Sequence, residues 1–273
     1  MHSGQISAVL QPIVEVFCSY AHENKTYRDH LERHLSALKY LGYVKVWCDR
    51  EIQPGTPWDQ EIHAHLDTAD LFLPLVSAHF LSSTYCWGVE MQRALERWNR
   101  GEVAIVPILV SPVDCRGTPI SSLQMLPSSG KAITLWPDRE QAYTDVAKEI
   151  SKVVDTLRAQ KWKLQGDASC NQELYDVALA DYEEALRLDP ENPSFHHARG
   201  IALLHLRRFE EAIAAYNTAI ELKPDFGLAY KGKGDALNAF APFAYEKYKL
   251  LAEQAYQRAH ILEEKKTERR VNE

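Results

Sequence analysis

The sequence has no long apolar run, no paired cysteines and no excess of positive charge, and each absence excludes a class of protein. No stretch approaches the about 20 apolar residues that cross a bilayer, and the N-terminus lacks the cationic start of a signal peptide. We therefore expect no membrane association. Without a CxxC pair, a disulfide framework or a structural zinc site is not expected either. The five cysteines are Cys18, Cys48, Cys86, Cys115 and Cys170. We expect reduced thiols in a cytoplasmic protein, and no metal.

The negative charge is spread along the whole chain. The formal net charge is −7, with −4 over residues 1–158 and −3 over residues 159–273. Proteins that bind phosphate backbones carry clustered basic residues, so we do not expect a nucleic-acid partner. At 273 residues, 45% apolar and 25% charged, the chain has the composition of a globular protein with about two domains.

The first half of the chain alternates strand-like and helix-like segments. Short apolar, β-prone runs predict five strands at Val14–Tyr20, Val44–Trp47, Leu71–Val76, Val103–Val110 and Ala132–Leu135. Helical spacing of apolar residues predicts helices at 27–41, 58–69, 80–100 and 143–157. Alternation of this kind indicates an α/β fold with a parallel sheet covered by helices on both faces. Gly42 predicts a helix end, and the turn formers of Asp49–Pro57 predict a loop.

The second half repeats itself with a period of 34 residues. The matching pairs are Trp162/His196, Gly166/Gly200, Ala178/Ala212, Tyr182/Tyr216, Ala185/Ala219 and Pro190/Pro224. A third copy begins at Tyr230 and Gly234 and resumes six residues late, at Ala252. This period and pattern are typical of the tetratricopeptide repeat. We expect an all-α domain of about three repeats over 159–273, in which small residues let paired helices approach and large aromatic residues fill the space beside them.

Three segments of the first half, in order, resemble the Toll/interleukin-1 receptor (TIR) domain family in its bacterial form. They are VEVFCSYAHEN (Val14–Asn24), WCDREIQPGTPWDQEI (Trp47–Ile62) and LVSAHFLSSTYCWGVEMQRALER (Leu75–Arg97). The resemblance covers residues 11–157 and implies a flavodoxin-like, five-stranded sheet of order 2-1-3-4-5. It identifies the loop of the second segment as the family's BB loop. It also places Glu90 at the position of the family's catalytic glutamate.

In such a sheet, ligands bind beyond the carboxyl ends of the first and third strands, so the three segments should line one cleft. The predicted catalytic residue is Glu90, and the predicted substrate-binding residues are Ser19, Tyr20, Asp49, Gly55, Trp58 and Cys86. Structural alternatives stay open for most of them. Glu90 alone could be an exposed helix glutamate paired with Arg93 or Arg97; Tyr20, Asp49, Gly55 and Trp58 could serve packing or the loop bend. Cys86 stands where many family enzymes have a tryptophan, and here Trp87 follows it.

The resemblance implies a NAD glycohydrolase, or a cyclase, that uses NAD as substrate without a cofactor. The departing nicotinamide is neutral, so the barrier lies in the positive charge that develops on the ribose, and one carboxylate can stabilise it. The resemblance further implies activation by TIR–TIR assembly and a role in bacterial antiviral defence. The alternative is a non-catalytic adaptor that acts through TIR–TIR contacts and through a protein or peptide partner of the repeats.

Overall fold

Two compact units divide the chain, Met1–Leu157 and Arg158–Glu273. The computed structural model describes residues 11–48, 58–240 and 247–271, with side chains over 11–48, 60–240 and 248–268. Strands and helices alternate in the first unit, whereas the described part of the second unit is helical. The predicted fold class, a parallel α/β sheet followed by an all-α repeat unit, is therefore confirmed.

Parallel strands form the sheet of the first unit. The five that lie in the described residues are β1 (Val14–Ser19), β2 (Val44–Trp47), β3 (Leu71–Val76), β4 (Ala104–Ile105) and β5 (Ile108–Leu109). Their order is β2-β1-β3-β4, and β5 also pairs with β3. β1 lies in the middle, where Phe17 is in register with Trp47 on one side and with Phe72 on the other. Every residue of β3 is buried, as expected for a parallel strand with helices on both faces.

Helices cover both faces of this sheet. They are α1 (Lys25–His34), α2 (Ser36–Tyr40), α3 (Trp58–Thr68), α4 (Ala78–Ser82), α5 (Met91–Asn99) and α6 (Arg139–Asn171). Because side chains alternate along a strand, Val16 packs with Leu31 of α1 and Val146 of α6, while Phe17 packs with Leu66 of α3 and Met91 of α5. The first unit thus has one hydrophobic layer on each side of the sheet.

Two predicted strands differ from the structure. The predicted strand Val103–Val110 is two short strands, β4 and β5, with Pro107 between them. Proline has no N–H to donate to a sheet, although the Pro107 carbonyl accepts from Leu126 N at 2.8 Å. The predicted strand Ala132–Leu135 is a 3-10 turn over Ile133–Leu135, because an apolar run this short does not distinguish a strand from a helical turn.

The predicted helix end at Gly42 is confirmed. Gly42 has a φ of +69°, a conformation that glycine adopts without a steric penalty. Its N–H donates to Lys39 O, and the N–H of Tyr43 donates to Leu38 O, both at 3.0 Å. These bonds satisfy carbonyls at the end of α2 that the helix itself leaves unpaired.

Helices that pack on their neighbours in sequence form the second unit. They are the end of α6, α7 (Tyr175–Leu188), α8 (Pro193–His205), α9 (Phe209–Leu222), α10 (Gly227–Phe240) and α11 (Lys247–Val271). Small residues allow the predicted close approach. An added Cβ at Gly166 would lie 2.6 Å from the Tyr182 ring, and one at Gly200 would lie 2.7 Å from the Tyr216 ring. The 34-residue period is therefore also a period of glycine–tyrosine contacts.

Candidate functional site

The carboxyl ends of β1 and β3 lie side by side at one edge of the sheet. β1 ends at Ser19, which is in register with Pro74, and β3 ends at Val76. The winding direction reverses between these two strands, because β2 lies on the outer side of β1 and β4 on the outer side of β3. Parallel α/β folds bind ligands in the crevice that such a reversal leaves at the carboxyl edge.

Two buried polar side chains, Asn24 and Ser77, join the segments that follow β1 and β3. The Ser77 hydroxyl donates to Asn24 Oδ1 at 2.6 Å and accepts from the Phe80 N–H at 3.1 Å. The second bond caps the N-terminus of α4. The sequence pattern did not indicate either residue as part of the site, although each is a small polar residue shortly after an apolar strand. Together they fix the segments that carry the predicted site.

The predicted helix over Phe80–Arg100 is interrupted shortly after its start. α4 ends at Ser82, and Ser83 has an extended backbone with a ψ of 115°. The Ser83 hydroxyl accepts from the Cys86 N–H at 3.1 Å. Serine competes for backbone hydrogen bonds in this way, and it therefore favours helix ends over helix interiors.

A π-helical turn over Cys86–Glu90 carries the predicted catalytic glutamate into α5. The Glu90 N–H donates to Tyr85 O, five residues back, at 3.1 Å. π-Helical turns are rare, and many of them lie at functional sites. Residue types alone did not indicate this turn, because its wider hydrogen-bond pattern leaves no distinct periodicity in so short a segment.

The Glu90 side chain lies at the carboxyl edge of β1 and is only 6% exposed. The hydroxyl of Ser19, the last residue of β1, donates to Glu90 Oε2. A carboxylate is rarely buried without such partners, because removing its charge from water is unfavourable. Of the two interpretations left open by the sequence, an exposed helix glutamate is therefore wrong. The structure brings two predicted site residues, Ser19 and Glu90, into direct contact.

Two further predicted site residues, Tyr20 and Cys86, also contact each other. The Cys86 thiol donates to the backbone carbonyl of Tyr20 with an Sγ–O distance of 3.4 Å. Cys86 is 9% exposed, whereas the Tyr20 side chain is half-buried. Both ends of the π-helical turn are thus bound to the end of β1, through Cys86 at the start and Glu90 at the end.

Arg28 of α1 is a buried cation close to this edge that the sequence pattern did not indicate. Its side chain is 2% exposed, its guanidinium lies 4.8 Å from the centre of the Tyr20 ring, and its Nη1 donates to Cys48 Sγ at 3.0 Å. Burial alone lowers the pKa of an arginine, but Cys48, Tyr20 and Asp29 act in the opposite direction and the pKa of Arg28 is raised. Arg28 lies three residues before Leu31 on the apolar stripe of α1, and that position was the available signal.

Trp87 is partly buried and packs against the core of the first unit. Its ring meets Phe80 edge-on, with ring centres 6.2 Å apart, and it contacts the layer that contains Phe17. Edge-on packing is a favourable arrangement of two aromatic rings. Cys86, near the end of β1, thus occupies the position where the resemblance expects a tryptophan. Trp87, one residue later, has a packing role.

Three predicted site residues lie where the structure says nothing of their side chains. Asp49 and Gly55 are outside the described residues, and Trp58 begins α3 with its side chain outside them. Within the described ranges, no three or more His, Cys, Asp or Glu side chains are arranged to hold a metal ion. Nor does any helix there combine the length and the apolar character that crossing a bilayer requires.

Comparison with known families accounts for both units. Residues 16–144 match the family model of the TIR domain, and residues 164–225 match that of the tetratricopeptide repeat. The chain therefore contains a TIR domain followed by tetratricopeptide repeats. The carboxyl edge described above, with Ser19, Tyr20, Cys86 and Glu90, lies inside the TIR match.

Curated relatives match only part of the chain. The uncharacterized protein y4lF of Sinorhizobium fredii is 43% identical over 135 residues, which are 50% of this chain and 42% of that protein. The STIP1 homolog of Dictyostelium discoideum is 34% identical over 86 residues, which are 32% of this chain and 15% of that protein. The chain thus spans less than half the length of these relatives.

Among solved structures, the chain is similar to other tetratricopeptide-repeat domains. The first repeat domain of Spaghetti (RPAP3), bound to the HSP90 peptide SRMEEVD, is 28% identical with a TM-score of 0.36, over 40% of this chain and 81% of that one. The Sgt2 repeat domain of Aspergillus fumigatus is 25% identical with a TM-score of 0.35, over 38% and 66% of the two chains.

Proposed function

We propose that this TIR domain protein cleaves the bond between nicotinamide and ribose in NAD, with Glu90 as the catalytic residue. The observation that carries the proposal is the buried Glu90 carboxylate at the reversal point of a parallel sheet, bound by the Ser19 hydroxyl. Ligand sites of this fold type lie at that point. TIR domains include both NAD-cleaving enzymes and scaffolds, and a buried, oriented carboxylate favours the enzyme.

The chemistry that this reaction needs matches the chemistry of one carboxylate. Nicotinamide leaves as a neutral molecule, so the ribose becomes positively charged in the transition state. An anion held near that charge in a poorly hydrated site stabilises it more strongly than an anion in water can. Interactions of this preorganised type contribute about 3–4 kcal/mol, or a factor of 10² to 10³ in rate. The product is either linear or cyclic ADP-ribose, depending on whether water or the substrate itself attacks.

Assembly is proposed to control this activity. We assign residues 11–157 to the TIR domain and residues 159–273 to the repeat domain. By the family resemblance, neighbouring TIR domains stack and the Asp49–Pro57 loop contributes at the contact. Domains that are tethered together reach effective concentrations in the millimolar range, so a partner that gathers repeat domains would switch on a latent site. A role in antiviral defence by NAD depletion follows from the same resemblance.

The decisive experiment compares Glu90→Gln with Glu96→Gln, two variants that remove one carboxylate from neighbouring turns. Glu96 is exposed and pairs with Arg93, so its loss should leave turnover unchanged. Nicotinamide release from NAD is followed by chromatography as protein concentration rises, with and without a crowding agent. We expect Glu90→Gln to lower the rate at least about 100-fold. Circular dichroism and thermal unfolding test that both variants are folded; a folded Glu90→Gln protein with normal turnover contradicts the assignment.

A scaffold without catalysis is the second candidate, and the repeat domain is the observation that favours it. Residues 164–225 match the tetratricopeptide-repeat family model, and tetratricopeptide repeats are protein-binding scaffolds. The chain is also 34% identical to the STIP1 homolog over 86 residues. The matching experiment titrates labelled SRMEEVD peptide and a scrambled control into the full chain by fluorescence polarisation. Specific peptide binding and concentration-dependent self-association, with no nicotinamide release under any condition, would support the scaffold.

A further inference from the structure

We propose that Ser19 is a positioning residue, whose hydroxyl keeps the Glu90 carboxylate ionised and fixed in orientation without itself contacting NAD. The inference rests on the proposed function and deepens it, because it assigns the group that controls the catalytic carboxylate. The family resemblance alone predicts that Ser19 is a substrate-binding residue. Its burial and its hydrogen bond indicate that it acts through Glu90.

The position of Ser19 suits it to holding another side chain in place. Ser19 is the last residue of the central strand, and β1 is paired on both sides, with β2 and with β3. Its side chain is 2% exposed, and its hydroxyl donates to Glu90 Oε2. A side chain on a rigid, doubly paired strand holds its partner more precisely than one on a loop. The hydroxyl hydrogen of Ser19 is used in the bond to Glu90, so the interaction that Ser19 makes is with that carboxylate.

A second contact supports the same role. Tyr20 follows Ser19 directly, and its carbonyl accepts from the Cys86 thiol at 3.4 Å. Successive residues at the end of β1 therefore bind the first and the last residue of the π-helical turn Cys86–Glu90. The thiol is a weak donor, so the hydroxyl–carboxylate bond is the stronger of the two. This arrangement fixes both the turn and the side chain that the turn presents.

The electrostatic consequence of the Ser19 bond has a definite direction. Burial favours the neutral form of a carboxyl group, whereas a hydrogen bond donated to the carboxylate favours the ionised form. An ionised carboxylate can only accept, and the serine hydroxyl can donate. Removing the hydroxyl therefore makes Glu90 easier to protonate and also leaves the side chain less constrained. A neutral Glu90 could not stabilise positive charge on the ribose. As the pH falls, a variant without the Ser19 hydroxyl should therefore lose activity at a higher pH than the wild-type protein does.

The experiment compares Ser19→Ala with Ser77→Ala, a second buried serine at the same edge that bonds to Asn24. For Ser19→Ala we expect kcat to fall about 10- to 100-fold, the equivalent of one hydrogen bond to a charged group, with KM nearly unchanged. The acidic limb of its kcat pH profile should move to higher pH. Ser77→Ala can be less stable, but its pH profile should keep the wild-type position. Ser19→Thr, which retains a hydroxyl, should recover the wild-type profile.

A measurement without turnover separates this inference from the proposed function. The protein is labelled with ¹³C at the glutamate carboxyl carbon, and the Glu90 signal is assigned by its disappearance in Glu90→Gln. In Ser19→Ala the titration midpoint of the Glu90 signal should move to higher pH. Ser19→Cys, whose side chain has a similar volume and a weaker donor, should give a smaller shift of the same midpoint. Ser19→Cys replaces Ser19→Ala if the alanine variant does not fold. An unmoved midpoint overturns the inference, as does a raised KM with unchanged kcat. If wild-type protein releases no nicotinamide, the proposed function fails, and the titration still decides the role of Ser19.

Discussion

Gly232→Ala tests the packing that sets the repeat period. An added Cβ at Gly232 would lie 2.6 Å from both Cε1 and Cζ of Tyr216 and 2.9 Å from its hydroxyl oxygen. The Tyr216 ring is fully buried, and Gly200 of α8 approaches it just as closely. Two helices therefore confine the same ring, and it has no room to move away from a new methyl group. The substitution should force α10 away from α9.

Two opposing effects decide the size of the change. Alanine is about 1 kcal/mol more favourable than glycine inside a helix, whereas overpacking a well-packed core is unfavourable by about 1–3 kcal/mol. Because the contact is with a ring held by two helices, we take the upper part of that range. The expected net loss in the free energy of unfolding for Gly232→Ala is about 1–2 kcal/mol.

The assay is chemical denaturation of the full chain together with hydrogen exchange of peptides from α9 and α10. Gly227→Ala is the matched control in the same helix, because its added Cβ would be 3.7 Å from the nearest atoms; it should be neutral or slightly stabilising. Adding Tyr216→Leu to Gly232→Ala should give a loss smaller than the sum of the single losses, since the ring that clashes is gone. A Gly232→Ala protein as stable as wild type, with unchanged exchange in α9 and α10, would refute the reasoning.

Two further predictions concern the buried cation Arg97 and the titration of His197. Arg97 donates through Nη1 to two backbone carbonyls at the end of α3, at 2.5 and 2.9 Å. Arg97→Ala should therefore lower the free energy of unfolding by about 3 kcal/mol, because it leaves buried acceptors unpaired. Substitution of the exposed Arg100 by alanine should change the free energy of unfolding little, and equal losses for the two variants in chemical denaturation would contradict this prediction. Burial lowers the pKa of His197 from its ordinary value of 6.5, so the unfolded chain binds a proton more readily and stability should fall as pH drops below about 6.5. His197→Phe should flatten that part of the pH dependence measured by thermal unfolding. A curve unchanged by His197→Phe would rule the explanation out.

Elements that depend on residues close in sequence were predicted well. β2 and β3 have the predicted bounds, and Gly42 ends a helix as expected. The repeat was also predicted, since its glycine–tyrosine contacts recur with the same 34-residue spacing in the sequence and in the structure. In each case the residues that cause the structure lie within one or two elements of each other, so the pattern alone contains the information.

Other features depended on residues far apart in the chain. The short strands β4 and β5 follow from Pro107 and from pairing with β3, and the 3-10 turn at Ile133–Leu135 lies beside Val110, whose carbonyl accepts from Thr134 N at 3.0 Å. A run of apolar residues indicates burial, but it does not indicate which neighbour will satisfy its backbone groups. That neighbour exists only after the sheet has formed.

The sequence by itself determined the parallel sheet and the repeat array, because hydrophobic periodicity and residue type are local properties. The resemblance of three sequence segments to the TIR family indicated Glu90 as the residue to test. Only the tertiary structure decided that Glu90 is buried, that it lies on a π-helical turn and that it accepts from Ser19, 71 positions earlier in the chain. The same holds for Arg28, whose cation lies against Tyr20. Burial and hydrogen-bond partners depend on which distant segments meet, and that is fixed by the packing of the whole domain.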